Sequence, residues 1–474
     1  MNTALKKIII LAACFIASGV FADEDQLTVE ERLYGLSTLW KEASYNFAYF
    51  DQVSNLNWDD VYQSYIPQVI EPQSNYEYYR TLTKFLAGLN DGMTYVEMSA
   101  DMVKKNVAHP SIKLAEAGRE AIVVGVSKEL AKKIPLGSII THVDSVIVED
   151  VLRDEVFPYI SSSTDHIRWH EGIRGNSKLG YGLLMGPRES NVNIRYKTLS
   201  GVIGELDLKR SDDLDTKNWL FASGIVKNDN SIEHKNLDGN ISYVALNNFT
   251  DMDISKRFNL LIPKLQSSSA LILDLRNNRG GNTMLAEEIL KHLTFHDLEG
   301  TRTKMRVHNS TYKAWGKYST QFAWAKKYEP YFSGNAWQEN EPDKIFADDV
   351  TFENKVVVPT VVLISRETSA AAESFLVYAS SASHIILVGE PTFGSTGQPL
   401  DIELPGGGFA KICTKRETFA DGRDFVGYGI QPDILVKRDV AFFTANVDKT
   451  LFTAKDWLSK KLSNNVFIAA KTSK

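Results

Sequence analysis

The chain has 474 residues, a formal net charge of −6 and a hydrophobic fraction of 43%. This length exceeds what one hydrophobic core usually serves, so two or three domains are expected. The mildly acidic balance lacks the basic footprint of a nucleic-acid-binding protein, and we expect no nucleic-acid partner. Cys14 and Cys413 are the only cysteines. Packing must therefore stabilise the fold without a framework of disulfides.

The N-terminus has the pattern of a signal peptide. Two lysines precede an apolar run over residues 8–21, and Ala22 supplies a small residue before an acidic stretch. The run is too short to span a bilayer comfortably, so we predict no stable membrane span. We predict cleavage between Ala22 and Asp23, followed by secretion to the periplasm or the extracellular space. The alternative is a lipoprotein box that anchors the chain through Cys14.

Residues 23–105 are predicted to form a helical cap domain. Thr28 and Glu31 have the spacing of a capping box, and apolar residues follow at helical intervals. A second segment with helical periodicity ends at the turn signal of residues 90–92.

Residues 116–210 form short β-rich runs separated by glycine. The order of these runs and the sequence GSIITHVDSVIV resemble a PDZ-like module. Another kind of small β-barrel inserted between two domains would give a similar pattern, so that alternative stays open. A polar stretch, residues 211–237, is predicted to link this module to the next region.

From residue 238 to 440, buried-strand patterns alternate with helical stretches, as in a layered β/α core. The tail, residues 441–474, is predicted to be one amphipathic helix. The predicted fold class is therefore a multidomain α/β chain, with a helical N-terminal cap, a PDZ-like β-rich module and a layered β/α core.

Three segments of the core carry a resemblance to a known family. They are LILDLRNNRGGNT (271–283), VVLISRETSAAAESF with HIILVGEPTFGSTGQ (361–398), and GYGIQPDI (427–434). In this order they resemble the tail-specific, or C-terminal-processing, serine peptidases, whose relatives include the tricorn core protease. The resemblance implies a crotonase/ClpP-like peptidase core and peptide or unfolded-protein substrates. The sequence carries neither a cofactor motif nor a phosphate loop, so we expect no cofactor.

The first two segments have the local features of an oxyanion site. A buried strand runs into Gly280 and Gly281, which let backbone N–H groups approach a substrate oxygen closely. A tight turn that needs glycine for its own geometry is the alternative. A second strand leads to the helix that begins near Ala371, where a nucleophile would feel the positive end of the helix dipole.

Two positions depart from the family pattern of general bases. In the serine/lysine type the lysine follows the segment GExTFG, but Ser395 stands there. In the serine/histidine type the cap supplies a histidine in an aspartate-glycine-histidine-threonine motif, but Met93 stands there. Methionine cannot accept a proton at neutral pH, and filling an apolar gap is its ordinary role.

The nucleophile and the orienting acid are also irregular. The family's serine falls on Ala370, and Ser369 lies one position earlier, which is ~100° of helical rotation. Ser369 is the candidate nucleophile, with a helix N-cap as its alternative role. Asp424 is the nearest acid before the GIxPD motif and a candidate orienting acid, although a solvated loop residue is the common case.

Two histidine pairs, 166/170 and 292/296, have a spacing at which zinc ligands share a helical face. Neither pair carries the glutamate of a metalloprotease motif. We therefore predict no metal site.

Two functional hypotheses follow. One is a working serine endopeptidase built on Ser369. The other is a catalytically impaired homologue, a pseudopeptidase that keeps the peptide groove. The combined loss of base and regular serine favours the second, because such groups act as a unit. A remote third hypothesis is an acyl-CoA enzyme on the related crotonase-like core, against which the PDZ-like insertion and the leader argue.

Overall fold

The computed structural model describes residues 26–71, 74–211, 218–222, 230–445 and 447–472, with side chains to residue 463 in the last helix. The predicted leader and its cleavage site, as well as Cys14, lie outside the described residues.

The N-terminal region is helical. Its first helix begins at the predicted capping box, which is confirmed: Glu31 N–H donates to the Thr28 hydroxyl, and Thr28 N–H donates to the Glu31 carboxylate. These reciprocal bonds satisfy donors that the first helical turn would otherwise leave unpaired. The elements here are α1 (Val29–Asn46), α2 (Trp58–Ile70), α3 (Asn75–Ala87), β1 (Tyr95–Glu97) and α4 (Ala100–Asn106).

An antiparallel seven-stranded sheet forms the inserted module. Its strands run in the order β10-β4-β5-β8-β9, with β3 paired to β4 and β6 paired to β5. The elements of this part of the chain are β2 (Val107–Ala108), β3 (Ile112–Ala117), β4 (Glu120–Ser127), β5 (Ile139–Val143), β6 (Val146–Ile147), α5 (Val148–Val151), α6 (Asp165–Arg174), β7 (Gly186–Pro187), β8 (Asn191–Lys197), β9 (Ile203–Lys209) and β10 (Trp219–Phe221).

The module extends beyond residues 116–210 on both sides. Strand β3 already begins at Ile112, and β10 pairs with β4, with Trp219 opposite Ser127. The stretch 211–237 is therefore not a simple polar linker, because it contains β10 and a further strand, β11, at residues 232–237.

The core is built on a six-stranded sheet in the order β11-β12-β13-β18-β19-β23, parallel from β12 onward. Every residue of β13 and β18 is buried, which explains their uninterrupted apolar character. The elements are β11 (Ile232–Leu237), β12 (Ile241–Leu246), α7 (Ile254–Asn259), α8 (Ile262–Gln266), β13 (Ala270–Asp274), α9 (Thr283–Leu290), β14 (Leu298–Glu299), β15 (Arg302–Arg306), α10 (Ser310–Gly316), α11 (Glu329–Phe332), β16 (Trp337–Asn340), β17 (Lys344–Ile345), β18 (Thr360–Ile364), α12 (Ala371–Ala379), β19 (Ile385–Gly389), β20 (Pro399–Glu403), β21 (Phe409–Cys413), β22 (Lys415–Thr418), β23 (Ile434–Leu435), α13 (Val440–Thr444) and α14 (Lys449–Thr472).

Helices cover both faces of the core sheet. On one face Leu273 and Val362 join an apolar cluster with α9, α12 and the cap helices. On the other face Ile272 and Val361 pack with α14 through residues such as Leu458. The mixed α/β fold class predicted from the sequence is confirmed.

The C-terminal segment is two helices, α13 and α14, rather than the single helix predicted for residues 441–474. Asp439 caps the first helix, and Ala445 ends it in an extended conformation. The Asp448 carboxylate then accepts the N–H of Leu451 at 3.0 Å and starts the second helix. Neither of these helices, nor any other among the described residues, is long and apolar enough to cross a membrane.

Candidate active site

Two strand-to-helix turns lie side by side at the carboxyl edge of the core sheet. Strands β13 and β18 pair in parallel, so the segments that follow them leave the sheet together. The Thr368 hydroxyl donates to the carbonyl of Leu275 at 2.9 Å, and Ser369 N–H donates to the carbonyl of Asn278 at 3.1 Å. These bonds hold the start of α12 against the glycine turn after β13.

Ala370 has a strained backbone at the start of α12. Its φ of 54° and ψ of −122° lie in a region that residues other than glycine rarely adopt. Its N–H donates to the Glu373 carboxylate at 3.2 Å. Its methyl group faces Gly280, since a Cβ on Gly280 would lie 2.7 Å from the Ala370 Cβ. A strained residue between a strand and a helix is the conformation in which hydrolases present a nucleophile.

Ser369, the candidate nucleophile, lies one position before the strained residue of the turn. Its backbone carbonyl oxygen faces Gly280. The hydroxyl makes no hydrogen bond with any described residue, and Ser369 is only 7% exposed. The N-cap of α12 is Ala370, so the alternative role of Ser369 as N-cap is wrong as well.

The three predicted oxyanion positions, Gly280, Gly281 and Ala371, differ in whether their N–H groups are already bonded. The N–H of Gly280 donates to Asn278 Oδ1 at 2.9 Å, so Gly280 is not available as a donor. Gly281 has a φ of 136°, and a Cβ there would lie 2.3 Å from the carbonyl carbon of Phe249, so only glycine fits. Within the described ranges, neither the Gly281 N–H nor that of Ala371, the first residue of α12, has an acceptor. Gly280 thus allows the two turns to approach each other closely, while the N–H groups of Gly281 and Ala371 stay available as donors.

The cap motif meets the core where the family's lysine would stand. The buried Asp91 carboxylate accepts the Thr94 hydroxyl at 2.6 Å and the Ser395 hydroxyl at 3.0 Å. Burial raises the pKa of Asp91, while these two hydroxyls lower it. Met93 is half-buried and packs against the main apolar cluster. The structure therefore brings positions 91–94 and 395 together, and none of the hydrogen bonds that Asp91 makes to described residues involves an amine or imidazole.

Glu373 organises the loop around this meeting point, a role that sequence reasoning missed. Its buried carboxylate accepts the Thr392 hydroxyl at 2.5 Å and the Gly394 N–H at 2.8 Å, in addition to the Ala370 N–H. Burial raises its pKa to about 7, although these donors lower it. The available signal was a single glutamate in the apolar helix AAAESFLVYA, where a charge needs several donors.

Asp424 is a structural ion-pair residue. Its carboxylate lies 2.7 Å from Arg416 Nη2, and Arg416 also contacts Asp51 at 2.6 Å. A bridge to Thr418 fixes its backbone. Because Arg416 holds this carboxylate and no described histidine contacts it, its expected role as an orienting acid is not supported.

The histidine pairs do not converge on a common ligand. His166 Nε2 donates to the carbonyl of Thr392 at 2.7 Å, and His170 Nε2 bonds Glu367 at 2.6 Å. His292 Nδ1 donates to the carbonyl of Asn354 at 2.9 Å.

One group among the described residues has its ligand atoms close enough for a metal: His170, Glu171 and Glu367. Arg174 and Arg279 already contact Glu367, so its charge is matched by cations, and we assign no metal.

A cavity of about 920 Å³ separates the inserted module from the core. Strand β3 and helix α6 line one side, and Arg279, Glu367 and Arg438 line the other. Two buried nitrogens on its wall, His170 Nδ1 and Arg438 Nε, have no hydrogen-bond partner among the described residues. Its volume is in the range of ligand-binding pockets.

A strained turn entering a buried helix, with two backbone donors beside it, is the local geometry expected of a serine-peptidase-type core. Residues 240–436 match the model of peptidase family S41. The predicted resemblance to tail-specific peptidases is therefore confirmed for these residues. The carboxy-terminal processing protease CtpA of Bacillus subtilis is 34% identical over 82 residues, covering 17% of this chain and 18% of CtpA. The match thus spans about a fifth of that relative.

Solved structures show the same fold. Mature CPAF superposes with a TM-score of 0.70 at 15% identity, covering 92% of this chain and 98% of that chain. A putative peptidase from Parabacteroides merdae gives a TM-score of 0.52 at 17% identity, covering 91% and 97%. The likeness to CPAF extends over the cap and the inserted module as well as the core.

Proposed function

We propose that this chain is an exported, catalytically impaired tail-specific peptidase homologue that binds peptides or unfolded protein chains. The proposal rests on the position and side chain of Ala370. It occupies the strained turn, with Gly280 opposite and the Ala371 N–H beside it, yet it presents a methyl group where chemistry needs a hydroxyl.

The missing base supports the same conclusion. Met93 cannot take a proton. Ser395 stands where the family's lysine would supply an amine, and its hydroxyl donates to Asp91. Nucleophile and base act as a pair, so their joint absence removes most of the rate enhancement.

Peptide binding is supported by the cavity beside the site. We infer that the inserted module is PDZ-like and presents β3 and α6 to an extended peptide. Among the residues that the structure describes, the buried Arg438 Nε–H has no acceptor, which suits an acceptor such as a peptide carbonyl or terminal carboxylate.

The proposal is tested by restoring the pair. Wild-type protein should hydrolyse an unstructured substrate such as casein barely above background while still binding it. The double variant Ala370→Ser with Met93→His should raise the rate at least tenfold, because the turn and the backbone donors are already in place. Each single change should do less. The matched control, Ala371→Ser with Met93→His, moves the hydroxyl by one residue and should stay inactive.

The rival hypothesis, a working peptidase built on Ser369, predicts different results. Wild-type protein would then cleave casein at an ordinary rate, a serine-directed inhibitor would label Ser369, and Ser369→Ala would abolish cleavage. That outcome would overturn the proposal.

A further inference from the structure

Residues 308–336 form a lobe that stands apart from the apolar clusters of the molecule; we call it the aromatic lobe. It is inserted between β15 and β16 and contains α10, a 3-10 turn at residues 323–328, and α11. All of its residues are described, and none of them belongs to any of the four apolar clusters. The lobe therefore packs mainly on itself.

Aromatic rings hold the lobe together. Tyr312 contacts Trp315, Tyr328 and Tyr331, with ring centroids 4.9 to 5.6 Å apart. Gly316 allows the close approach of the two halves, since a Cβ there would lie 2.3 Å from the Tyr328 carbonyl. This packing makes the lobe a firm platform rather than a loose loop.

The outer surface of the lobe is also aromatic. Trp324 is 53% exposed and Phe322 is 49% exposed, and their rings stack with centroids 6.1 Å apart. Trp315, Tyr318 and Phe332 are exposed as well. Exposed aromatic rings clustered on one small element mark an interaction surface.

The lobe is basic in an acidic chain. It carries Lys313, Lys317, Lys326 and Lys327, all exposed, and a single carboxylate, Glu329. None of these lysines forms an ion pair with a described carboxylate. The net charge of the whole chain is −6, so the lobe has the opposite sign to the rest of the molecule.

We propose that the aromatic lobe binds an anionic lipid surface, with Trp324 and Phe322 at the level of the headgroups and the lysines against lipid phosphates. Tryptophan and tyrosine together with lysine are enriched at membrane interfaces. Protein interfaces share the aromatic enrichment but are depleted of lysine, which argues against a second copy or another protein as the occupant. The acidic remainder of the chain would be repelled, so the lobe would face the membrane.

Vesicle co-sedimentation tests the proposal, using the chain from Asp23 onward, which contains every described residue. Binding to vesicles of phosphatidylglycerol and phosphatidylethanolamine should exceed binding to phosphatidylcholine vesicles at least tenfold at low salt and should fall as salt rises. Phe322→Ser with Trp324→Ser, or Lys317→Glu with Lys326→Glu, should reduce it at least tenfold. The matched control, Phe352→Ser with Phe452→Ser, removes two exposed rings outside the lobe and should leave it unchanged.

Three results would overturn the proposal. The first is no preference for anionic vesicles, and the second is equal binding by the wild type and the lobe variants. The third is a lobe variant that binds vesicles normally but has lost a dimer in sedimentation velocity, or has lost casein binding. That result would assign the surface to a second copy or to unfolded polypeptide.

Discussion

Ala370 combines an inert side chain with a strained backbone. Such conformations cost about 1–3 kcal/mol and persist only where neighbours impose them. Here the neighbours are Glu373, which accepts the Ala370 N–H, and Asn278, whose carbonyl accepts the Ser369 N–H. The turn is thus held by groups other than the side chain of Ala370. A serine introduced at this position should therefore keep the same backbone conformation.

Glu373 should make stability depend on pH. Its folded pKa of about 7 lies above the ordinary value of 4.5, so between these values the folded state holds a proton that the unfolded state has released. The stabilising contribution is present below pH 4.5 and is lost as the pH rises through 7, by about 3 kcal/mol. Glu373→Gln should abolish this component, measured as urea unfolding free energies at pH 5 and pH 8.

Comparing the wild type with Glu373→Gln isolates the contribution of Glu373 to the pH dependence of the unfolding free energy. His166 and His170, whose pKa values burial lowers, act in the opposite direction but are common to both proteins. Glu120→Gln, at an exposed glutamate, should keep the wild-type pH dependence. Identical pH dependence in wild type and Glu373→Gln would contradict the prediction.

Motif spacing located the positions of Met93, Ala370 and Ser395, because short segments with fixed intervals identify a site without any knowledge of its contacts. The sequence did not reveal that Asn278 occupies the Gly280 N–H. It also did not reveal that Arg416 holds Asp424, because that contact joins β22 to a loop. Side-chain hydrogen bonds within turns depend on where the backbone goes, and spacing carries no such information.

At the scale of elements, Glu367 joins the inserted module to the candidate site. It lies in the turn that precedes α12 and contacts His170 and Arg174 of α6 as well as Arg279 beside the glycine turn. One carboxylate therefore holds together two turns of the core and a helix of the module.

Glu367→Ala should loosen this junction. Arg174 and Arg279 would lose their shared counter-charge, and we expect a loss of about 2 kcal/mol in local stability. Hydrogen exchange should show faster exchange of the α6 amides, with little change in the central strands. Glu353→Ala, at an exposed glutamate, is the control. Unchanged protection of α6 would mean that apolar contacts alone dock the module.

The periodicity of the sequence predicted the types of the helices and strands better than it predicted their boundaries. The uninterrupted apolar runs of β13 and β18 were readable because both faces of these strands are buried. β11 was not predicted because its residues are mostly polar, and it forms a strand only by pairing with β12. The break before α14 was missed because it depends on Asp448, which also pairs with Arg276.

At the scale of the whole molecule, the cap and the core share one apolar cluster. Leu36 and Leu82 of the cap lie in the same cluster as Leu285 and Phe375 of the core. The helical cap is therefore an integral layer of the fold, and the hydrogen bond from the Ser395 hydroxyl to Asp91 connects its motif at residues 91–94 to the core.

The predicted leader gives a further testable expectation. Because two lysines, a short apolar core and Ala22 precede an acidic stretch, we expect the exported protein to begin at Asp23. Intact-mass measurement on protein recovered after secretion checks this. Ala22→Tyr should slow cleavage, because the bulky ring does not suit signal peptidase, whereas Ala100→Tyr serves as a distant control. A lipidated Cys14 at the N-terminus would contradict the prediction.

Strand β1 pairs with β21, and nearby the N–H of Gly408 donates to the Tyr79 hydroxyl, 329 positions away in the chain. The first helices to be synthesised therefore find their final partners only when the last third of the chain has arrived. Contacts of such long range make folding slow and leave apolar helix faces uncovered meanwhile. We therefore expect the newly made N-terminal region to need chaperones until β21 is available, and truncated chains that lack β21 to be degraded rather than to accumulate as free caps.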